Sequence, residues 1–259
     1  PLAQAAGHDI NYISITGALY AMGRSGEKPV PPLNLVGDMG GGGMLLVTGV
    51  LAAMLEATSS GKGQVIDVAM VDGAAQLMWM FHGFEAMGLW DAGKRESNML
   101  DGGAHFYDAY ECADGEFVSI GSIEPQFYAL LKQHAGLSEE DFGDQNNAGK
   151  WPEMKEKLAA VFKQKTQAQW CEIMEGTDVC FAPVLSFVDA PSHPANVARN
   201  TYIEMDGVTQ PAPAPRFGRT PSTVRHGGPN PGQDTEAVLA AMGFGERDIA
   251  DLKQTGAIA

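Results

Sequence analysis

The chain has 259 residues, with 17 Lys and Arg against 32 Asp and Glu, a net charge of −15. With 44% apolar and 19% charged residues it is globular rather than disordered, and long enough for one large domain or two small ones. A pI near 4.7 argues against a nucleic-acid partner, which requires a basic face.

The chain opens at Pro1 inside a pattern that already reads as structured, so an N-terminal part is expected to precede it. Residues 2–23 are small and apolar around the polar centre Gly7-His8-Asp9-Ile10-Asn11-Tyr12. Ser25 to Pro32 reads as a loop. Gly37-Asp38-Met39 then leads four glycines, Gly40 to Gly43, into the apolar run Met44 to Leu55, which predicts a largely buried helix stopped by Ser59-Ser60-Gly61. That run is interrupted by Thr48 and Gly49 and falls short of the roughly 18 residues of a membrane span. Alternation over Gln64 to Met70 predicts a strand, and a helix follows from Asp72 to about Met87.

Beyond Gly102-Gly103, two short strands at 106–111 and 117–120 flank an Asp114-Gly115 hairpin turn. Helical patterns follow at 125–135, 152–164 and 167–175, then a β-like run over Phe181 to Phe187 and a break at His193-Pro194. Thr209 to Pro231 is rich in Pro and Gly and predicts little regular structure. Two short helices close the chain, at 235–242 and 246–253. Cys112, Cys171 and Cys180 lack metal-type spacing and read as reduced thiols.

Three groups carry chemistry, each beside a plainer alternative. Asp38 ahead of a glycine run suits a helix entry whose free N–H groups favour developing negative charge; it equally suits an N-cap with close helix packing. No P-loop Lys follows, which argues against a nucleotide site. His8 is a general acid/base candidate or a structural His among capping residues. Glu124 stands at a strand-to-helix turn before Pro125. The stretch from Leu77 through Met78, Met80 and Met87 is a buried helix or an adaptable apolar surface.

Four segments together resemble the α-methylacyl-CoA racemases of the family III CoA-transferase superfamily. They are the His8 segment, Gly37 to Gly42, Ser60 to Gly73 and Gly121 to Tyr128. Ala182-Pro183-Val184-Leu185 and His193-Pro194 are similar to later motifs of the same family. The resemblance covers nearly the whole chain. It implies an α/β fold, part of a Rossmann-like large domain plus a small α+β domain, in an interlocked homodimer. Residues 1–67 would end the large domain, 68–104 connect, 105–205 form the small domain, 206–230 return and 231–259 pack back as helices.

By the same resemblance His8 and Asp38 are the catalytic pair and Glu124 the carboxylate that pairs with the His, from its own chain or from the partner. Gly7, Asp9, Ile10, Asn11, Tyr12, Gly40, Gly41, Met78 and Met80 would line the acyl-CoA site. The implied reaction inverts the α-carbon of a 2-methylacyl-CoA thioester through an enolate, as part of lipid metabolism, with no metal and no cofactor beyond the CoA of the substrate. The alternatives are CoA transfer with Asp38 as acyl-anhydride nucleophile, or an inactive fragment. The expected location is cytoplasmic or, in a eukaryote, peroxisomal or mitochondrial.

Two consequences follow for the site. The enolate oxygen needs donors, expected from the N–H groups of Gly40 to Gly43 or of Asp38. The CoA phosphates need local cations in an acidic chain, and Arg24, Lys62 and Arg95 are the candidates.

Overall fold

The computed structural model describes residues 1–258. The chain divides into two compact units, Pro1–Val184 and the segment from Leu185 on.

The first unit begins with α1 (Asp9–Ile15) and α2 (Ala18–Ala21). A π-helix, Leu35–Met44, runs directly into α3 (Leu45–Ser60), which Gly61 ends in the left-handed conformation. α4 (Met70–Leu77) and α5 (Trp79–Ala86) follow. Ile13, Ala18 and Ala74 form a small buried cluster here, with Leu19, Val36 and Met78 packed on it.

The expected single helix over 72–87 is broken at Met78. No breaker residue marks the spot; Met78 leaves helical geometry (φ −87°, ψ 0°) and packs on that cluster. The expected strand over Gln64 to Met70 forms no backbone ladder, and its last residue opens α4. Ile66 and Val68 instead lie over Gly49 of α3, while Val65 between them and the chain start of this segment faces outward, 96% exposed. The alternation therefore reports packing on a helix.

α3 departs furthest from expectation, because none of its residues is buried. Leu46, Leu51, Met54 and Leu55 all face outward. Joined to the π-helix it makes one 26-residue rod, Leu35–Ser60, with mean hydropathy 1.5. By length and composition alone that rod could cross a membrane. The interruption at Thr48-Gly49 does not shorten it, since neither residue stops a helix.

The main core lies between Ala104 and Phe181. β1 (Tyr107–Glu111), β2 (Phe117–Gly121) and β3 (Phe181–Val184) form an antiparallel sheet in the order β1-β2-β3. Gly115, at φ 87°, closes the β1–β2 turn as its Asp-Gly dipeptide predicts. Packed with the sheet are α6 (Pro125–Ala135), α7 (Glu139–Phe142), α8 (Trp151–Phe162) and α9 (Gln167–Met174). Their ends are written in the sequence: Pro125 at the start of α6 and left-handed Gly136 after it, and Thr166 accepting from the Gln169 N–H at α9.

Phe106, Phe162 and Trp170 are fully enclosed, each worth about 1.5–3 kcal/mol in burial. The polar tips are satisfied: Trp151 Nε1 donates to the Gln145 carbonyl at 2.8 Å and Trp170 Nε1 to the Phe162 carbonyl at 2.9 Å.

In the second unit, α10 (Pro194–Arg199) precedes a hairpin of β4 (Tyr202–Met205) and β5 (Val208–Pro211). Asp206 and Gly207 both take positive φ, the two-residue turn that matches strand twist. β5 thus orders the start of a segment expected to be irregular. α11 (Thr235–Ala241) and α12 (Glu246–Gln254) follow.

One buried polar group links this fold to pH. His105 is enclosed, with Nε2 2.8 Å from the Tyr128 hydroxyl and Nδ1 without a partner among the described residues. Burial pushes its pKa down from 6.5 to about 4. The folded imidazole stays neutral while the unfolded chain takes up a proton, so its stabilising contribution is present above pH 6.5 and is lost as pH falls toward 4. Between pH 7 and pH 5 the expected loss from this group is about 2 kcal/mol. Urea unfolding of the parent and of His105→Gln at both pH values should show that part of the pH dependence missing in the variant.

Candidate functional site

His8 is the residue before α1, in extended backbone (φ −124°, ψ 177°), with its side chain exposed. Its backbone N–H donates to Asn11 Oδ1 at 3.0 Å, so Asn11 fixes the entry to the helix. Tyr12 folds back over Gly7, its hydroxyl donating to the Gly7 carbonyl at 3.4 Å and its ring 3.1 Å from where a Cβ would sit. Ile10 is exposed.

Asp9 turns inward and is only 6% exposed. Its Oδ2 accepts the backbone N–H of Asp38 at 2.7 Å. This bond ties the segment carrying His8 to the segment carrying Asp38, 29 residues on. Asp38 is itself partly buried in the first turn of the π-helix, and its Oδ2 accepts from Asn34 Nδ2 at 3.1 Å. Asn34 was not among the expected site residues, although its spacing of four from Asp38 places the two on one helical face.

The glycine run performs a different task from the one expected. Gly40 to Gly43 lie inside the π-helix, where their N–H groups serve the helical ladder, and the Asp38 N–H is taken by Asp9. None of these amides is left to receive an oxyanion, so the expected donor set is corrected. Gly41 is buried against α4, where a Cβ would meet the Ala74 nitrogen at 2.7 Å. A Cβ on Gly73 would lie 1.9 Å from the Gly41 carbonyl oxygen. The two helices touch backbone to backbone, as the close-packing alternative for the glycines requires.

Glu124 is exposed and caps α6. Among the described residues it makes no hydrogen bond or ion pair with His8, so one chain does not by itself join the carboxylate to the imidazole.

Met78 packs on the small helical cluster and lines a cavity of about 370 Å³ with Ala21, Phe81, Trp90 and Leu100. Met80 does not line this cavity. A larger one, about 680 Å³, lies between Met22, Val30, Tyr107 and Ile120. Neither is lined by His8 or Asp38.

The basic candidates are mostly engaged. Arg24 pairs bidentately with Asp108, at 2.8 and 2.9 Å, and with Glu96 at 2.9 Å. Lys155 reaches the same two carboxylates. The Asp108 side chain is 7% exposed. Burial would raise its pKa, yet hydrogen bonds from Arg24 and Lys155 hold it below the usual carboxylate range. Arg95 donates to the carbonyls of Tyr20 and Glu27 and lies over the Tyr20 ring. Arg24 and Arg95 are therefore engaged within the chain, while Lys62 stays exposed just past the end of α3.

With this geometry in view, comparison with known proteins is decisive at one level. The family model for CoA-transferase family III matches residues 1–235. The chain belongs to the family III CoA-transferases. It is 47% identical over 252 residues to the α-methylacyl-CoA racemase of Mus musculus, covering 96% of this chain and 66% of that protein. The Homo sapiens α-methylacyl-CoA racemase is 45% identical over 251 residues, with coverage of 95% and 65%. A CaiB/baiF CoA-transferase family protein of Caenorhabditis elegans is 31% identical over 218 residues, with coverage of 83% and 62%. The chain thus spans just under two thirds of the length of these relatives.

Among solved structures, a CaiB/BaiF family protein from Brucella suis superposes with a TM-score of 0.72 at 19% identity, covering 93% of this chain and 64% of that one. Rv3272 of Mycobacterium tuberculosis gives 0.70 at 20% identity, with coverage of 92% and 64%. These two establish the family's α/β fold.

The helix crossing supplies a direct test. Gly73→Ala should destabilise the protein by about 3 kcal/mol or more, because the new methyl meets the backbone of Gly41, which cannot yield as a side chain would. Gly63→Ala, which meets open space, should stay within about 0.5 kcal/mol in the same urea titration.

Proposed function

We propose that this chain carries the proton-transfer site of a racemase acting on 2-methylacyl-CoA thioesters. The observation that carries the reading is the Asp9–Asp38 bond, which ties a His and an Asp to one locus in a chain 45–47% identical to two α-methylacyl-CoA racemases.

The chemistry asks for two groups on opposite faces of the α-carbon. The neutral imidazole of His8 takes the C2 proton, leaving a thioester enolate. The protonated carboxyl of Asp38 returns a proton to the other face. The products are an imidazolium and a carboxylate, and the reverse direction exchanges the two roles. An imidazole suits the first task because its ordinary pKa of about 6.5 is close to neutrality. Both protons move on side chains, so the reaction needs no cofactor beyond the CoA of its substrate.

Glu124 enters from a second copy of the chain in this reading, holding the His8 imidazole in one tautomer. Its exposure at the start of α6, with no hydrogen bond or ion pair to its own His8 among the described residues, supports that arrangement. The apolar cavity beside Met78, Phe81 and Trp90 suits an acyl chain.

The test uses the full-length protein with a 2-methylacyl-CoA in deuterated water. Expected are deuterium at C2 and inversion at that carbon without any acceptor acid, with inversion reduced at least about a hundredfold in His8→Gln. CoA transfer to a free carboxylic acid, through an intermediate that hydroxylamine traps, would instead establish Asp38 as a nucleophile.

A further inference from the structure

Asp9 is the one acidic side chain of the helical cluster that is turned inward, and its surroundings are unusual. Oδ2 accepts the Asp38 N–H at 2.7 Å, while Oδ1 is buried with no partner among the described residues. A carboxylate taken out of water with one oxygen unsatisfied is costly. An apolar side chain of similar volume would stabilise the packing as well or better, so helix packing alone does not account for it.

The seat is shaped for that carboxylate. A Cβ on Gly37 would fall 2.4 Å from Asp9 Oδ2 and 2.8 Å from its carboxyl carbon. The bare backbone of Gly37 is therefore what lets the carboxylate reach the next amide. Asn11 fixes the backbone of His8 from one side, and Asn34 holds the carboxylate of Asp38 from the other. Among the described residues, the bond from the Asp38 N–H to Asp9 is the one hydrogen bond that joins the two segments.

We infer that Asp9 is a positioning residue: seated on Gly37 and bonded to the Asp38 amide, it sets where the Asp38 side chain stands relative to His8. This rests on the racemase reading above and assigns Asp9 a task other than contact with CoA. A shift of about 1 Å at a reacting group costs on the order of a hundredfold in rate, and a backbone amide freed from its anchor allows such a shift. The inference has a kinetic signature. When one of two bases is displaced, the other still abstracts its proton and returns solvent hydrogen to the same face. Exchange then continues while inversion fails.

The experiment follows deuterium entry at C2 and inversion separately, on full-length protein, from each epimer of a 2-methylacyl-CoA. Asp9→Ala and Gly37→Ala should each raise the ratio of exchange to inversion at least about tenfold for one epimer. Asp9→Asn keeps an acceptor oxygen and should restore the ratio to within about threefold of the parent's. If Asp9→Ala does not fold, Gly37→Ala, which keeps the Asp9 side chain but denies it its seat, is read by the same criterion. An equal loss of exchange and inversion, or no change in either, overturns the inference while leaving a racemising parent intact. A parent that neither exchanges nor inverts overturns the racemase reading, and the inference with it.

Discussion

The geometry of the candidate site depends on three positions without side chains. Gly37 admits the Asp9 carboxylate, and Gly41 and Gly73 let the π-helix and α4 meet backbone to backbone. A side chain at Gly41 or Gly73 would force the π-helix off α4, and one at Gly37 would push the Asp9 carboxylate out of its seat. Asp38 would then leave the start of α1, because the bond that places it there is a single 2.7 Å contact to its amide. The glycine run is therefore a packing surface, and Asp38 stands one turn before its middle.

The large core and the candidate site lie in different parts of the first unit. The aromatic core between Ala104 and Phe181 contains most of the large enclosed side chains. The helices around His8 and Asp38 share a small apolar cluster, Ile13, Ala18 and Ala74. Such a thin cluster opens more readily than a full core. What ties the two parts together is a set of charges: Arg24 from the first part, Asp108 from β1, Glu96 and Lys155. The Asp108 carboxylate is withdrawn from solvent while the Arg24 side chain stays partly exposed, and pairs of this kind are specific about geometry even where they add little net stability.

Wherever local chemistry decides an element, the residues announce it. Pro125 and Gly136 bracket α6, Thr166 opens α9, and Asp114-Gly115 turns the β1–β2 hairpin. Asp206-Gly207 carries the same signal and makes the β4–β5 turn, although the surrounding prolines and glycines argue for irregular chain. Where tertiary contact decides, periodicity misleads. The alternation of 64–70 reflects Ile66 and Val68 resting on Gly49, and at the break Met78 packs on the small helical cluster. At the site, the resemblance picks out His8, Asp38 and Glu124 as a set. It is silent on Asn34, on the inward turn of Asp9, and on the engagement of Arg24 and Arg95, because each depends on a partner distant in sequence or on the direction a side chain takes.

The Arg24–Asp108 pair spans 84 residues. Closing a loop of that length costs about 4 kcal/mol of chain entropy, and the carboxylate it must find stands on a strand that exists only once the β1–β2 hairpin has formed. The segment around Arg24 therefore docks onto a finished surface and contributes little to nucleating it. In the assembly order this implies, the aromatic core forms first, and the helices around His8 and Asp38 latch onto it through paired charges.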